Sequence, residues 1–122
     1  METVRILDED NFLRRVPTFL PNYVKADGTI SRLSFTPRKG DDGLSGDLER
    51  LSSFEKATLK SNNYRLLKVN VGVIRNEIND GLDVAHNPTL DNEAHCLLTG
   101  KITEGKAGQL LKSAIEIVNP ND

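Results

Sequence analysis

Leu67, Val69, Val71 and Val73 alternate with Lys68, Asn70 and Gly72, and this period of two constrains the fold more than any other feature of the chain. Such a segment buries one face and leaves the other polar, which commits the protein to a sheet. Near Gly72 the pattern changes. Val71, Ile74 and Ile78 recur at helical spacing, so the strand is expected to feed a short helix that Asp80-Gly81 closes as a C-cap. Towards the C-terminus, Ala107, Leu110, Leu111, Ala114, Ile115 and Val118 mark the buried face of a helix, with Pro120 just past its end. A strand-rich centre followed by an amphipathic helix predicts an α+β domain. Its sheet is small, mixed or antiparallel, with a short middle helix and the C-terminal helix packed on it.

The intervening segments are read from local signals. Asp10 to Val16 allows a short helix or turn, stopped by Pro17, and the stretch from Pro17 to Gly28 is turn chemistry throughout. Ile30, Leu33 and Phe35 among polar residues predict a strand over 30–36, followed by a surface loop from Pro37 to Gly43. Leu44 to Leu51 reads as a short strand or an extended lead-in. Ser52 and Glu55 have capping-box spacing, which predicts a helix over 53–60. Leu82 and Val84 resume an extended chain that Asn87-Pro88 interrupts. Ala94 to Thr99 is a strand with Ala94, Cys96 and Leu98 on one side and His95 and Leu97 on the other.

The 122 residues are expected to form one domain, 1–122, since halves would be too small to bury a good core. With 37% hydrophobic and 28% charged residues the chain is polar but globular, outside the composition of disordered proteins. No apolar run is long enough to cross a bilayer, and the N-terminus lacks a signal-peptide pattern, so a cytoplasmic protein is expected, away from membranes. The single cysteine cannot form an internal disulfide. Charge is spread evenly. Residues 1–43 carry seven basic and seven acidic side chains, 44–80 six and five, and 81–122 three and six. That balance disfavours nucleic acid as a partner, because phosphate neutralisation supplies most of such affinity.

Chemistry concentrates in Asp91-Asn92-Glu93-Ala94-His95-Cys96, at the start of a strand. His95 is the leading candidate for an acid or base, with Asp91 or Asn92 able to orient its ring. The bland alternative is a histidine bonded to a nearby backbone carbonyl to close the turn. Cys96 follows directly, so a strand turns it away from His95 and it reads as a buried, inert thiol. His86 and His95 with Asp91 or Asp83 match no metal-ligand spacing, so no metal is expected, and no cofactor fingerprint is present. Arg14, Arg15, Arg32, Arg38 and Lys39 matter only if folding gathers them. Lys39-Gly40-Asp41-Asp42-Gly43 is not a P-loop, and its adjacent aspartates make it a solvated turn. Lys101 and Lys106 flank the start of the last helix, where Gly105 and Gly108 fit a frayed helix better than an anion site.

Leu13-Arg14-Arg15-Val16, Asp27-Gly28-Thr29, Gly43-Leu44-Ser45-Gly46-Asp47, Leu90-Asp91-Asn92-Glu93-Ala94-His95 and Gly100-Lys101 follow in that order. This resembles a group of short bacterial proteins with L-R-R-[IV], L-S-V-D-like and P-D-N-P-A-H-like elements. The resemblance implies a single domain and no particular reaction. Gly46 stands where the pattern has valine, which would loosen that strand, and Leu90 and Glu93 replace two prolines. Two functional readings follow. The favoured one is a small cytoplasmic binding domain for another protein, with its surface at loop 37–47 and the 86–95 turn. The other is an enzyme or binding protein for a nucleotide or phosphorylated substrate. There His95 would be the acid or base, helped by Asp91, and Arg14, Arg15, Arg38 and Asn92 would hold the ligand. Whether the chain is an enzyme stays open, as does its oligomeric state.

Overall fold

In the computed structural model, which describes residues 2–120, six strands form one antiparallel sheet. They are β1 (Asn11–Pro17), β2 (Leu44–Leu48), β3 (Tyr64–Asn70), β4 (Asp83–His86), β5 (His95–Thr99) and β6 (Ile115–Ile117). Their order across the sheet is β4-β5-β2-β1-β3-β6. Helix α1 is Phe54–Ala57, α2 is Val71–Val73 continuing as a π-helical turn over Ile74–Ile78, and α3 is Glu104–Ser113. The α+β class and the C-terminal helix are therefore as the sequence predicts, and the sheet is wholly antiparallel.

β1 overturns the expected helix or turn over 10–16. Phe12 and Val16 stand four apart, as on a helix face, yet they alternate with Leu13 across a strand buried on both sides. Phe12 and Val16 join the main core with Leu48, Val69, Leu98, Phe35 and, from α3, Ala107 and Leu110. Leu13 faces the opposite way into a smaller core with Leu66 and Ala57, against which Phe54 and Ile117 pack. A two-sided core erases the alternation by which a strand is recognised.

Three other boundaries moved. The strand expected over 30–36 is a 3₁₀ turn, Arg32–Phe35, with the Ser31 side chain accepting from the Leu33 amide at 3.0 Å. The helix expected over 53–60 is only α1, and its cap is Ser53, whose Oγ accepts from the Lys56 amide at 3.2 Å, not Ser52. Leu59 and Lys60 have φ of 57° and 55°, so the helix cannot continue through them. Finally, α3 stops at Ser113, and Ile115, Glu116 and Ile117 form β6 against β3 instead of a last helical turn. Two β-branched residues flanking a glutamate suit an edge strand as well as a helix end. Pairing with β3 sets Ile117 opposite Leu66 and packs it against the smaller core.

The strand-to-helix switch near Gly72 lies close to where periodicity places it. Asn70 ends β3, and its side-chain oxygen accepts from the Val73 amide at 3.0 Å. Val71, Ile74 and Ile78 are all buried. The chain then leaves through Asn79, Asp80 and Gly81, all at positive φ. No helix among the described residues is long and apolar enough to cross a membrane.

Gly46 is explained by its neighbours. A side chain there would meet the ring of Phe12 and lie 2.6 Å from the Leu13 carbonyl oxygen. The strand is not loosened by the missing valine, because the Phe12 ring occupies that space.

Candidate cationic cleft where β2 leaves β1

The ladder between β1 and β2 comprises only Phe12 with Leu48 and Leu13 with Asp47, after which β2 continues alongside β5. Arg14 bridges the resulting opening. Its Nη1 donates to the Ser45 carbonyl at 2.8 Å and its Nε to the Ser34 carbonyl at 2.7 Å. Burial pulls the Arg14 pKa down to about 10, with Tyr23 and Asp41 acting against the shift and the like charges of Arg15 and Arg38 acting with it. Arg15, one residue on, donates from Nη1 to the Ala57 carbonyl at 3.0 Å and lies over the Tyr64 ring, 5.4 Å from its centroid. The guanidinium of Arg38 makes no hydrogen bond or ion pair among the described residues.

These cations contrast with four other arginines. Arg32, Arg50, Arg65 and Arg75 are each ion-paired with a carboxylate. Arg14, Arg15 and Arg38 have no such partner among the described residues, yet they line one cleft of about 350 Å³. No acidic residue lines it, and Phe19, Tyr23 and Tyr64 complete much of its wall. Arg14 also borders two neighbouring depressions. One, of about 420 Å³, includes Arg38 and Tyr23 but also Asp41 and Asp42. The other, of about 80 Å³, brings Arg14 and Arg15 together with Ser45, Asp47, Asn92 and His95.

His95 thus shares a pocket with two of the predicted arginines, but its ring is oriented by neither Asp91 nor Asn92. Nδ1 lies 2.7 Å from the Asn87 carbonyl, which can only accept, so Nδ1 carries the proton. In the neutral ring Nε2 then accepts from the Ser45 hydroxyl at 3.3 Å. This is the turn-closing bond of the bland reading, with a hydroxyl added on the far nitrogen. A base beside a hydroxyl can exchange a proton with it, and the arginines supply positive charge nearby.

Asn92 is committed to structure. Its Nδ2 donates to Asp47 at 2.7 Å, and its Oδ1 accepts from the Ala94 amide at 3.1 Å. Asp91 lines an adjacent cleft with Arg15, Asn92, Leu59 and Leu90. His86 is fully used: Nδ1 accepts from the Val4 amide at 2.9 Å and Nε2 donates to the Glu93 carbonyl at 2.6 Å. No group of three metal-ligating side chains converges among the described residues. Asp41 accepts from the Arg38 amide at 3.1 Å, closing the 38–41 turn. Arg32 pairs with Glu104, away from the cleft.

Cys96 faces the core, opposite His95, and is fully buried. Burial, and after it the charge of Asp47, pushes its thiol pKa up to about 12. An aromatic disulfide reagent is expected to leave the native protein unmodified and to react fully once urea unfolds it. Reaction on the timescale of free cysteine would show the core to be open.

The aromatic wall is what sequence reasoning missed. The chain has only six aromatic residues, and two of them, Phe19 and Tyr23, lie in a proline- and asparagine-rich turn where little core burial is expected. That misplacement was the available signal. The fold and site together define a small antiparallel α+β domain with a cationic, aromatic-walled cleft beside a serine–histidine pair. No family model, no curated protein and no solved structure matches the chain.

Proposed function

We propose that the protein is a cytoplasmic binding domain for a small phosphorylated ligand, held by Arg14, Arg15 and Arg38. One observation carries this reading: three arginines without carboxylate partners line a cleft free of acidic groups. Like charges lining one wall repel one another, Asp41 alongside offsets this only in part, and an anion relieves the rest while offering oxygens to each guanidinium. His95 and Ser45 border Arg14 and Arg15, so a reaction on the bound ligand has a proton acceptor at hand.

The test uses ribose 5-phosphate as a simple phosphate ester, followed by calorimetry and thermal shift. Wild type is expected to bind it, more weakly as salt is raised. Arg38→Ala is expected to weaken binding by about 10- to 100-fold, the scale of a lost charge-assisted hydrogen bond, without changing the melting temperature of the free protein. If neither this ester nor any other phosphorylated compound shifts the wild-type transition, the reading fails.

A protein partner is the second reading, and a separate observation favours it. Leu90 is 94% exposed and Leu59 is 57% exposed, and both line a cleft of about 850 Å³ beside the 86–95 turn. A partner bound there is lost on Leu59→Lys with Leu90→Lys and kept by Arg38→Ala. A captured partner that both variants retain removes this second reading.

A further inference from the structure

We infer that the ligand of the arginine cleft is a mononucleotide, its base lying on the wall of Phe19, Tyr23 and Tyr64 and its phosphate on Arg14, Arg15 and Arg38. The inference rests on the phosphate-binding reading above and names the ligand's other half. Half of the chain's six aromatic residues line this one cleft. Phe19 is 59% exposed, so much of its ring is open to a ligand. It stands edge-on to Tyr64, with centroids 5.8 Å apart, and Arg15 lies over the Tyr64 ring. The wall is therefore built before any ligand arrives, at little further entropic cost on binding. Flat rings beside guanidinium groups suit a ligand that joins a planar heterocycle to a phosphate.

Two features favour one nucleotide over a strand. The cleft, at about 350 Å³, is at the small end of ligand pockets. The chain carries a net charge of −2, and the neighbouring depression that would take a second phosphate contains Asp41 and Asp42. A polynucleotide needs a continuous cationic track, which those carboxylates interrupt.

The experiment titrates the four common nucleoside 5′-monophosphates, ribose 5-phosphate and a short single-stranded oligonucleotide into wild type, Phe19→Ala, Phe19→Trp and Arg38→Ala. At least one monophosphate is expected to bind wild type ten or more times tighter than ribose 5-phosphate. Phe19→Ala abolishes that advantage and leaves ribose 5-phosphate binding intact, Phe19→Trp preserves it, and Arg38→Ala weakens both ligands. Equal binding of monophosphates and ribose 5-phosphate by wild type, or an advantage that survives Phe19→Ala, overturns the base contact while phosphate binding stands. No binding of any phosphate compound overturns both readings. Oligonucleotide binding that is tighter than any monophosphate and falls steeply with salt overturns the mononucleotide in favour of a single strand.

Discussion

Phe12→Ala is expected to destabilise the protein by about 3–5 kcal/mol, the usual cost of emptying a large aromatic site in a core. Phe12 is fully buried at the middle of the sheet and lies against Gly46 on the neighbouring strand. Against a total stability of about 6–18 kcal/mol for a chain of this size, that loss is a large fraction. Gly46→Ala is expected to cost about 1–3 kcal/mol by overpacking, because the new methyl meets the Phe12 ring and the Leu13 carbonyl. The two losses are not additive. Shortening Phe12 removes half of the clash, so the double variant should recover about 1 kcal/mol relative to the sum. Urea denaturation of the four proteins measures the cycle. Additivity within about 0.5 kcal/mol would show that the ring does not seat on Gly46.

The second large effect concerns Asp10, which is 7% exposed. Burial raises its pKa, but the hydrogen bond from Arg50 at 2.8 Å and that from the Leu7 amide at 2.7 Å outweigh it, and the net shift is downward. Arg50 also donates to the Arg5 carbonyl at 2.6 Å, so the pair fastens the N-terminal segment to the turn after β2. A carboxyl whose folded pKa lies below its unfolded value stabilises the fold above the unfolded value. That contribution is lost as pH falls through the folded one. Arg65 lowers the pKa of Glu116, and at Asp83 the hydrogen bond from Arg75 overcomes the opposing effect of burial. The melting temperature should therefore be nearly flat above about pH 5 and fall below about pH 4. Asp10→Ala should cost about 2–3 kcal/mol at neutral pH, discounted because Arg50 itself is partly exposed, which is about 6–18 °C at this size. The same variant should show a shallower acid limb. An acid limb as steep as that of wild type would assign the pH dependence to other carboxylates.

Some of this architecture was legible residue by residue. β4, β5 and most of α3 follow from spacing, because each buries a single face and so shows its period. β3 with its switch near Gly72 was legible because Leu67, Val69 and Val71 still alternate with Lys68 and Asn70, although Leu66 is buried on the other side. The opposite faces of His95 and Cys96 follow from the same rule. β1 did not, since Phe12 and Leu13 are both buried, each under a different cover, and the pattern shows no polar side. The strand expected over 30–36 failed because Phe35 needs only one buried position, which a 3₁₀ turn supplies. β6 was hidden in the helical period of α3. Its partner, β3, lies some 50 residues earlier in the chain, beyond the reach of any local pattern.

The same division runs through the site. Local spacing was enough to establish the α+β class, the single inert cysteine and the candidacy of His95, because each depends on neighbours within a few residues. It could not show that Arg14, Arg15 and Arg38 meet Phe19, Tyr23 and Tyr64. Those six residues come from positions spread over 51 places in the chain. They meet because β1 and β3 pair and because β2 parts from β1 after Leu13. An even spread of charge along the chain says nothing of how cations and carboxylates pair in space. Among the described residues four arginines pair with carboxylates while Arg5, Arg14, Arg15 and Arg38 do not, and that sorting is a property of the folded surface alone.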